Sequence, residues 1–230
     1  MPTAGKVFKY REELSLEQIR DSLEGYETEV CFEGPEEDLQ LIADIVSLSL
    51  GESELSGIFR YDQPTTINHR SGITVLPKTV RAFFVFIVEE ETVFLLIVAK
   101  KTVANNVANE LSKILHEEVG AIVEARIDPK SLEGFYSAGE ATKVLLFDEI
   151  LVPNMNKLTL YGDNVLQTDL YGEYSKEGLA SYIVTKTREG YTVGVTREAS
   201  VTIFNEIDTP TFEHFIKQTI LPLILGRAWK

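Results

Sequence analysis

The sequence contains a single cysteine among its 230 residues. Cys31 therefore has no partner for a disulfide within its own chain, which excludes a disulfide-stabilised secreted scaffold and indicates a reducing compartment. A chain of this length removes roughly 70–75% of its unfolded surface from water, so its core requires neither disulfides nor a structural metal. Residues 1–7 carry no apolar stretch that would serve as a secretory signal. We therefore expect a cytoplasmic protein.

The one cysteine is also an unpromising nucleophile. Glu29 and Glu33 share its face of a predicted strand, and neighbouring negative charge disfavours a thiolate. We expect Cys31 to have only a packing role.

Long hydrophobic runs are absent as well. The longest, residues 82–88 and 93–99, are far shorter than the roughly 20 residues that a membrane-spanning helix needs. The sequence therefore predicts no membrane segment.

Basic residues are scarce. Lys and Arg total 22 against 36 Asp and Glu, which gives a net charge of −14. This excess repels the phosphate backbone and excludes a general nucleic-acid binder. An acidic decoy that occupies the nucleic-acid-binding surface of another protein stays open as an alternative, although charge spread along a whole chain is typical of ordinary solubility.

Signature motifs of catalysis are missing too. There is no phosphate-binding loop, dinucleotide-binding glycine motif, nucleophile elbow or zinc-binding cysteine pair. The three histidines, His69, His116 and His214, lie far apart in the sequence. We expect no cofactor and no metal site, and the balance leans away from an enzyme.

Two helices are predicted before residue 51. Ser15 and Gln18 form a capping box that begins a short helix, which should end near Gly25. Residues 34–38 suit the first turn of a second helix because proline and three carboxylates fit that position. Apolar residues then recur at helical spacing through residues 39–50.

Later signals predict three more helices and most of the strands. Thr102, Asp128 and Thr209 each stand where a helix should begin. Runs rich in β-branched and aromatic residues predict strands at 26–32, 57–61, 73–76, 80–88, 93–99, 158–161, 166–171, 179–187, 191–196 and 201–205.

These elements predict an α+β fold in which antiparallel β-sheets are flanked by amphipathic helices. We divide it into an N-terminal half, residues 1–127, and a β-rich C-terminal half, residues 128–230, tightly associated because no flexible linker joins them. Each half holds a meander followed by a helix. Either the halves are related by duplication, or both use a common α+β arrangement.

The hairpin over residues 82–99 lacks alternation. Residues 191–196 alternate apolar with polar, which is typical of a sheet with one wet face, whereas 82–88 and 93–99 are apolar at successive positions. Both faces of this hairpin must therefore be covered, either from within the chain or by a second copy in a homodimer.

The polar stretch 62–72 is the first candidate site. We expect an exposed loop between two apolar strands, and such loops often carry binding residues. Asn68, His69 and Arg70 are the candidate ligand-binding residues, since imidazole and guanidinium suit an anion in an acidic protein. The alternative is an ordinary hairpin loop.

Five carboxylates form the second candidate site. Paired carboxylates can serve acid–base chemistry or bind a cation. The alternative is that they mark hairpin turns and sheet edges. The residues are Asp148, Glu149, Asp163, Asp169 and Glu173.

Taken together, these features favour a non-enzymatic, cytoplasmic protein-interaction or regulatory module with a protein partner. The first alternative is a hydrolase or other enzyme that uses the carboxylate site. The second is the acidic decoy.

Overall fold

The computed structural model describes residues 1–34 and 38–227. It combines antiparallel β-sheet with helices, which confirms the predicted α+β class. Within those residues, no helix has both the length and the apolar character that a membrane span requires.

The chain forms two compact units. One comprises residues 9–123, and the other comprises residues 1–8 together with 124–230. We call them the 9–123 unit and the 124–230 unit. The division into tightly associated halves at residue 127 stays a prediction.

The 9–123 unit is built on a sheet with the strand order β2-β3-β4-β5-β6. Neighbouring strands in this order run antiparallel. The strands are β2 (Glu27–Phe32), β3 (Leu39–Leu50), β4 (Glu54–His69), β5 (Gly72–Glu89), β6 (Thr92–Val98) and the short β7 (Ile122–Glu124), whose last residue belongs to the other unit. The helices are α1 (Leu16–Leu23) and α2 (Lys101–His116).

Helix α1 begins as the sequence predicts. The Ser15 hydroxyl accepts a hydrogen bond from the Gln18 backbone N–H, and the Gln18 side chain accepts one from the Ser15 N–H. The reciprocal pair satisfies two N–H groups that would otherwise lack partners. The buried side of the helix carries Leu16, Ile19 and Leu23.

The predicted helix over residues 39–50 is wrong, because these residues form strand β3. Leu39, Leu41 and other apolar residues of this segment also alternate with period two, and pairing with β2 on one side and β4 on the other decides between the two patterns. A register shift between Val46 and Ser49 is accommodated by Ser47, which adopts φ 58°. Of the predicted first turn, residues 35–37 lie outside the described part of the chain.

The predicted loop over residues 62–72 is also wrong. Strand β4 continues to His69 and β5 begins at Gly72, so only residues 70 and 71 form a turn. Pairing with β3 ends at Tyr61, and pairing with β6 starts at Phe83. Residues 62–79 therefore leave the sheet as a two-stranded ribbon, which we call the arm. Its threonines, valine and isoleucines favour extended backbone despite their polar setting.

The hairpin of β5 and β6 is covered on both faces, as its lack of alternation predicts. Residues 84–87 and 94–97 are all buried, although side chains at successive positions point to opposite faces. Helix α2 contacts both strands. This helix begins at Lys101, with Lys100 rather than Thr102 at its N-cap and no side-chain cap.

The 124–230 unit contains a second series of paired strands, in the order β1-β12-β11-β10-β8-β9. Strand β1 (Thr3–Tyr10) enters it through residues 3–8. The other strands are β8 (Ala141–Asp148), β9 (Lys157–Tyr161), β10 (Leu179–Lys186), β11 (Thr192–Thr196) and β12 (Ser200–Ile203); the helices are α3 (Pro129–Ala138), α4 (Asp169–Tyr174), α5 (Thr209–Phe215) and α6 (Leu221–Ile224), with a 3-10 turn at Val165–Gln167 and a π-helical stretch at Ile216–Ile220.

Helix starts in this unit follow their capping residues. Asp128 caps α3, as predicted, and α5 begins at Thr209, as predicted, with Asp208 as its N-cap. The predicted strand over residues 166–171 is wrong, since these residues form the 3-10 turn and the start of α4. The Thr168 hydroxyl accepts a hydrogen bond from the Tyr171 N–H, and this local cap overrides the strand propensity of the segment.

We predict that Phe86→Ala lowers the free energy of unfolding by about 3–5 kcal/mol, because Phe86 is fully buried and its removal leaves a cavity. Urea unfolding followed by circular dichroism measures this loss. Phe32→Ala, at a half-exposed position of β2, is the matched control and should cost less than about 1 kcal/mol. Equal losses in the two variants would contradict the burial of the hairpin.

A second prediction concerns acid stability. Arg60 donates two hydrogen bonds to Asp44 on the neighbouring strand, one of them from Nε to Oδ1 at 2.8 Å, and these bonds hold the Asp44 pKa below its ordinary value. Because the folded-state pKa is lowered, the pair stabilises the fold above the unfolded-state pKa and ceases to do so as pH falls through the folded-state pKa. We expect Asp44→Asn to destabilise the protein at neutral pH and to match wild type in strong acid. Exposed Asp38→Asn is the control in a pH series of urea unfolding; a deficit of Asp44→Asn that persisted at every pH would rule the ion pair out as its cause.

Candidate functional site

A groove of about 330 Å³ opens on the 9–123 unit, between the helix-bearing face of β2, β3 and β4 and one side of α2. Every residue that lines it belongs to this unit. The lining residues are Tyr26, Thr28, Val30, Leu41, Ile42, Ala43, Phe59, Tyr61, Asp62, Asn106, Val107 and Glu110.

Three aromatic rings form one wall of the groove. The ring centroids of Tyr26 and Phe59 are 6.4 Å apart in a stacked arrangement, and those of Phe59 and Tyr61 are 6.0 Å apart. Phe59 is buried, whereas the two tyrosines are half-buried and reach the opening. Aromatic walls with a polar tip suit an apolar or cationic side chain of a ligand.

Helix α2 supplies the polar rim. Exposed Asn106 and half-exposed Glu110 lie one turn apart, and Glu110 accepts a hydrogen bond from Lys113 at 2.7 Å. Burial raises the pKa of Tyr26 above its ordinary value, the Glu110 carboxylate raises it further, and the Lys113 ammonium lowers it. The rim therefore places an ion pair, Glu110 with Lys113, beside the Tyr26 hydroxyl.

The open side of the groove is strand β2, the last strand in the order of this sheet. It pairs with β3 along one side, Thr28 opposite Ala43 and Val30 opposite Leu41, and no strand pairs with its other side within the described residues. The Val30 side chain is 58% exposed. An apolar side chain on an unpaired edge is unusual, because natural edges are commonly blunted by charge, proline or cover.

The reverse face of β2 is acidic. Glu27, Glu29 and Glu33 alternate with the groove-facing residues and are exposed. Cys31 lies on the same face and is exposed, so its predicted packing role is wrong. The edge strand thus presents an apolar stripe on one face and carboxylates on the other.

The described residues that line the groove include no cysteine, serine, histidine or lysine. The Asp62 carboxylate is already engaged, since it accepts hydrogen bonds from the Thr79 hydroxyl at 2.7 Å and from the Ile42 N–H at 3.2 Å.

The structure places the predicted anion-binding residues at the tip of the arm. Asn68 and His69 end β4, Arg70 begins the turn, and all three are exposed. His69 Nε2 lies 2.9 Å from the Thr74 hydroxyl, and His69 Nδ1 accepts a hydrogen bond from the Ser71 N–H. These contacts hold the imidazole against the turn, and its role in ligand binding stays a prediction.

The five predicted carboxylates do not form one cluster. Arg197 binds Asp148 at 2.7 Å and Glu149 at 3.3 Å, so these two side chains form an ion-pair network. The other three are exposed on the segment of the 3-10 turn and α4. Among the described residues, no group of three or more His, Cys, Asp or Glu side chains is arranged to hold a metal ion. The three exposed residues are Asp163, Asp169 and Glu173.

One interaction that the sequence analysis missed joins Tyr10 to His116. The Tyr10 hydroxyl lies 2.6 Å from His116 Nε2, and burial together with the charge of Glu12 raises the Tyr10 pKa to about 12. The pair ties the start of this unit to the end of α2, and only the position of His116 at a helix end was visible in the sequence.

In comparisons with known proteins, no family model and no curated sequence matches this chain.

We predict that Glu110→Gln lowers the pKa of Tyr26 without returning it to the ordinary value, because burial is the larger cause of the shift. The unbalanced Lys113 charge acts in the same direction. Nuclear magnetic resonance of isotope-labelled tyrosine across the alkaline range measures the change. Glu118→Gln, exposed beyond the end of α2, is the control, and a Tyr26 pKa that responded equally to both variants would place Glu110 outside the groove.

Proposed function

We propose that this chain is a non-enzymatic protein-interaction module that binds an extended segment of a partner protein in the groove beside β2. The observation that carries the proposal is the combination of an aromatic-walled groove with a strand edge that exposes Val30 and that no other described strand pairs with. Either feature alone is common, whereas together they provide both parts of a strand-binding site.

The edge supplies affinity and the groove supplies selectivity. An extended segment that adds to β2 pairs its backbone N–H and C=O groups with those that β2 leaves unpaired. Its side chains then alternate between the two faces of the sheet. Those on one face enter the groove above Val30 and Tyr61, and those on the other meet Glu27 and Glu29.

The charges define the preferred partner. A segment bound here lies close to Glu27, Glu29 and Glu110, and these carboxylates repel a segment that is rich in acidic residues. A segment in which cationic and apolar residues alternate satisfies both faces. The proposal therefore specifies a basic, amphipathic strand.

The other functions find less support in the geometry. A carboxylate enzyme would need two free, adjacent acidic groups, whereas Asp148 and Glu149 are bound by Arg197. An acidic decoy would need negative charge displayed without basic interruption, and Arg70 and Lys78 interrupt it on the exposed arm. We assign the module to the cytoplasm because Cys31 is its only cysteine.

The test uses a fluorescent peptide in which lysine and leucine alternate. We expect wild type to bind it, and we expect Asn106→Trp to weaken binding roughly tenfold, about 1.4 kcal/mol, because an indole at this position obstructs the groove. Fluorescence anisotropy measures both affinities.

Asn109→Trp is the matched control, since Asn109 is exposed on the same helix but does not line the groove. A peptide of equal composition with its lysines and leucines in separate blocks controls for nonspecific charge attraction. If both peptides bind equally, or if both tryptophan variants behave alike, the groove is not the binding site.

A further inference from the structure

We infer that the partner segment bound at the β2 edge and groove is the arm of a second copy of this chain. The inference rests on the proposed function and names its partner. It follows from three properties of the arm, which are its isolation, its exposed apolar side chains and its charge.

The arm is an isolated ribbon. Among the described residues its strands pair with each other alone, from Asp62 opposite Thr79 to His69 opposite Gly72, and Asp62 at its base also accepts a hydrogen bond from the Ile42 N–H. A two-stranded ribbon without a sheet or helix to pack on is at best marginally stable in water. Packing against another surface would remove this weakness.

Apolar side chains are exposed on both faces of the arm. Ile67 is 44% exposed and Leu76 is 47% exposed on one face, and Ile73 is 57% exposed on the other. Each large aliphatic side chain gains from burial. The groove matches these side chains in chemistry, because Leu41, Val30 and the aromatic rings offer an apolar surface.

Charge is segregated between the two surfaces. Beyond Asp62 at its base, the arm contains Arg70 and Lys78 and no other carboxylate, although the whole chain has a net charge of −14. Residues 24–33 contain four glutamates and no basic residue. The arm and the β2 edge therefore attract each other across two molecules, whereas arm against arm and edge against edge repel.

Two prolines limit which part of the arm can pair with the edge. Pro64 lies opposite Pro77, and proline in a sheet is confined to positions where its nitrogen faces a free edge. Because proline has no backbone N–H, neither outer edge of the arm can donate a hydrogen bond at the Pro64–Pro77 pair. Residues 65–69 and 72–76 beyond it keep their N–H groups, and each run of five residues is one residue shorter than β2.

The experiment measures self-association by sedimentation velocity of the full chain from micromolar to millimolar concentration. One variant reverses the arm charge with Arg70→Glu and Lys78→Glu, and a second reverses the edge charge with Glu29→Lys and Glu33→Lys. All four positions are exposed and none lies opposite Asp44, so both variants should fold as wild type does. We expect wild type to associate and each variant alone to associate at least roughly tenfold more weakly.

Mixing the two variants gives the decisive readout. The reversed arm then meets the reversed edge, and the native arm of one meets the native edge of the other, so association should return to the strength of wild type. Asn106→Trp should weaken association and Asn109→Trp should not.

Two results would overturn the inference. A wild type that stays monomeric yet binds the alternating peptide, with Asn106→Trp sensitive, would leave the proposed function standing and remove the second copy as the partner. Self-association that ignores charge reversal and is not restored in the mixture would place the contact elsewhere. A wild type that neither binds the alternating peptide nor associates with itself would contradict the proposed function as well as the inference.

Discussion

The ladder between β4 and β5 is the constraint on which the rest of the 9–123 unit depends. It runs without a register shift from Glu54 opposite Ile87 to His69 opposite Gly72. Its first half lies in the core, where Leu55, Phe84 and Phe86 are fully buried, and its second half is the exposed arm. The same ladder therefore sets the position of the groove wall and the direction in which the arm leaves the sheet. A slip of one residue would turn every buried side chain of the ladder to the opposite face.

Sequence reasoning succeeded where a local signal agreed with the tertiary environment. The capping box at Ser15 and the unbroken apolar runs of the β5–β6 hairpin each determine their own structure. It failed where two periodicities coexisted. Residues 39–50 fit a helix and a strand about equally, and only pairing with strands distant in the sequence distinguishes them. The stretch 62–72 failed for a related reason, because polarity was taken as a sign of a loop although its threonines and isoleucines favour extended backbone.

The groove was harder to foresee than the fold. Tyr26 is distant in the sequence from Phe59 and Tyr61, which share strand β4, and each is an ordinary strand or near-strand aromatic residue on its own. Two signals were nevertheless present. The glutamates around Val30 and the cations of residues 63–81 already showed that charge is segregated within an acidic chain. Composition averaged over the whole sequence conceals this segregation, and the net charge alone pointed to generic solubility. Whether such a segregation matters depends on which residues share an edge, and only the strand order reveals that.

The arm also shows which part of the β4–β5 ladder the core of the fold does not need. The buried half of the β4–β5 ladder could be closed by a tight turn in place of residues 62–79, and polymer statistics favour the shorter connection, since each doubling of a loop costs about 0.6 kcal/mol of chain entropy. The arm thus adds exposed side chains and a longer connection between the buried halves of β4 and β5 without adding side chains to the core. The side chains of the arm are therefore constrained by what the arm binds and not by the packing of the core, whereas those of the buried ladder are constrained by both faces of the sheet.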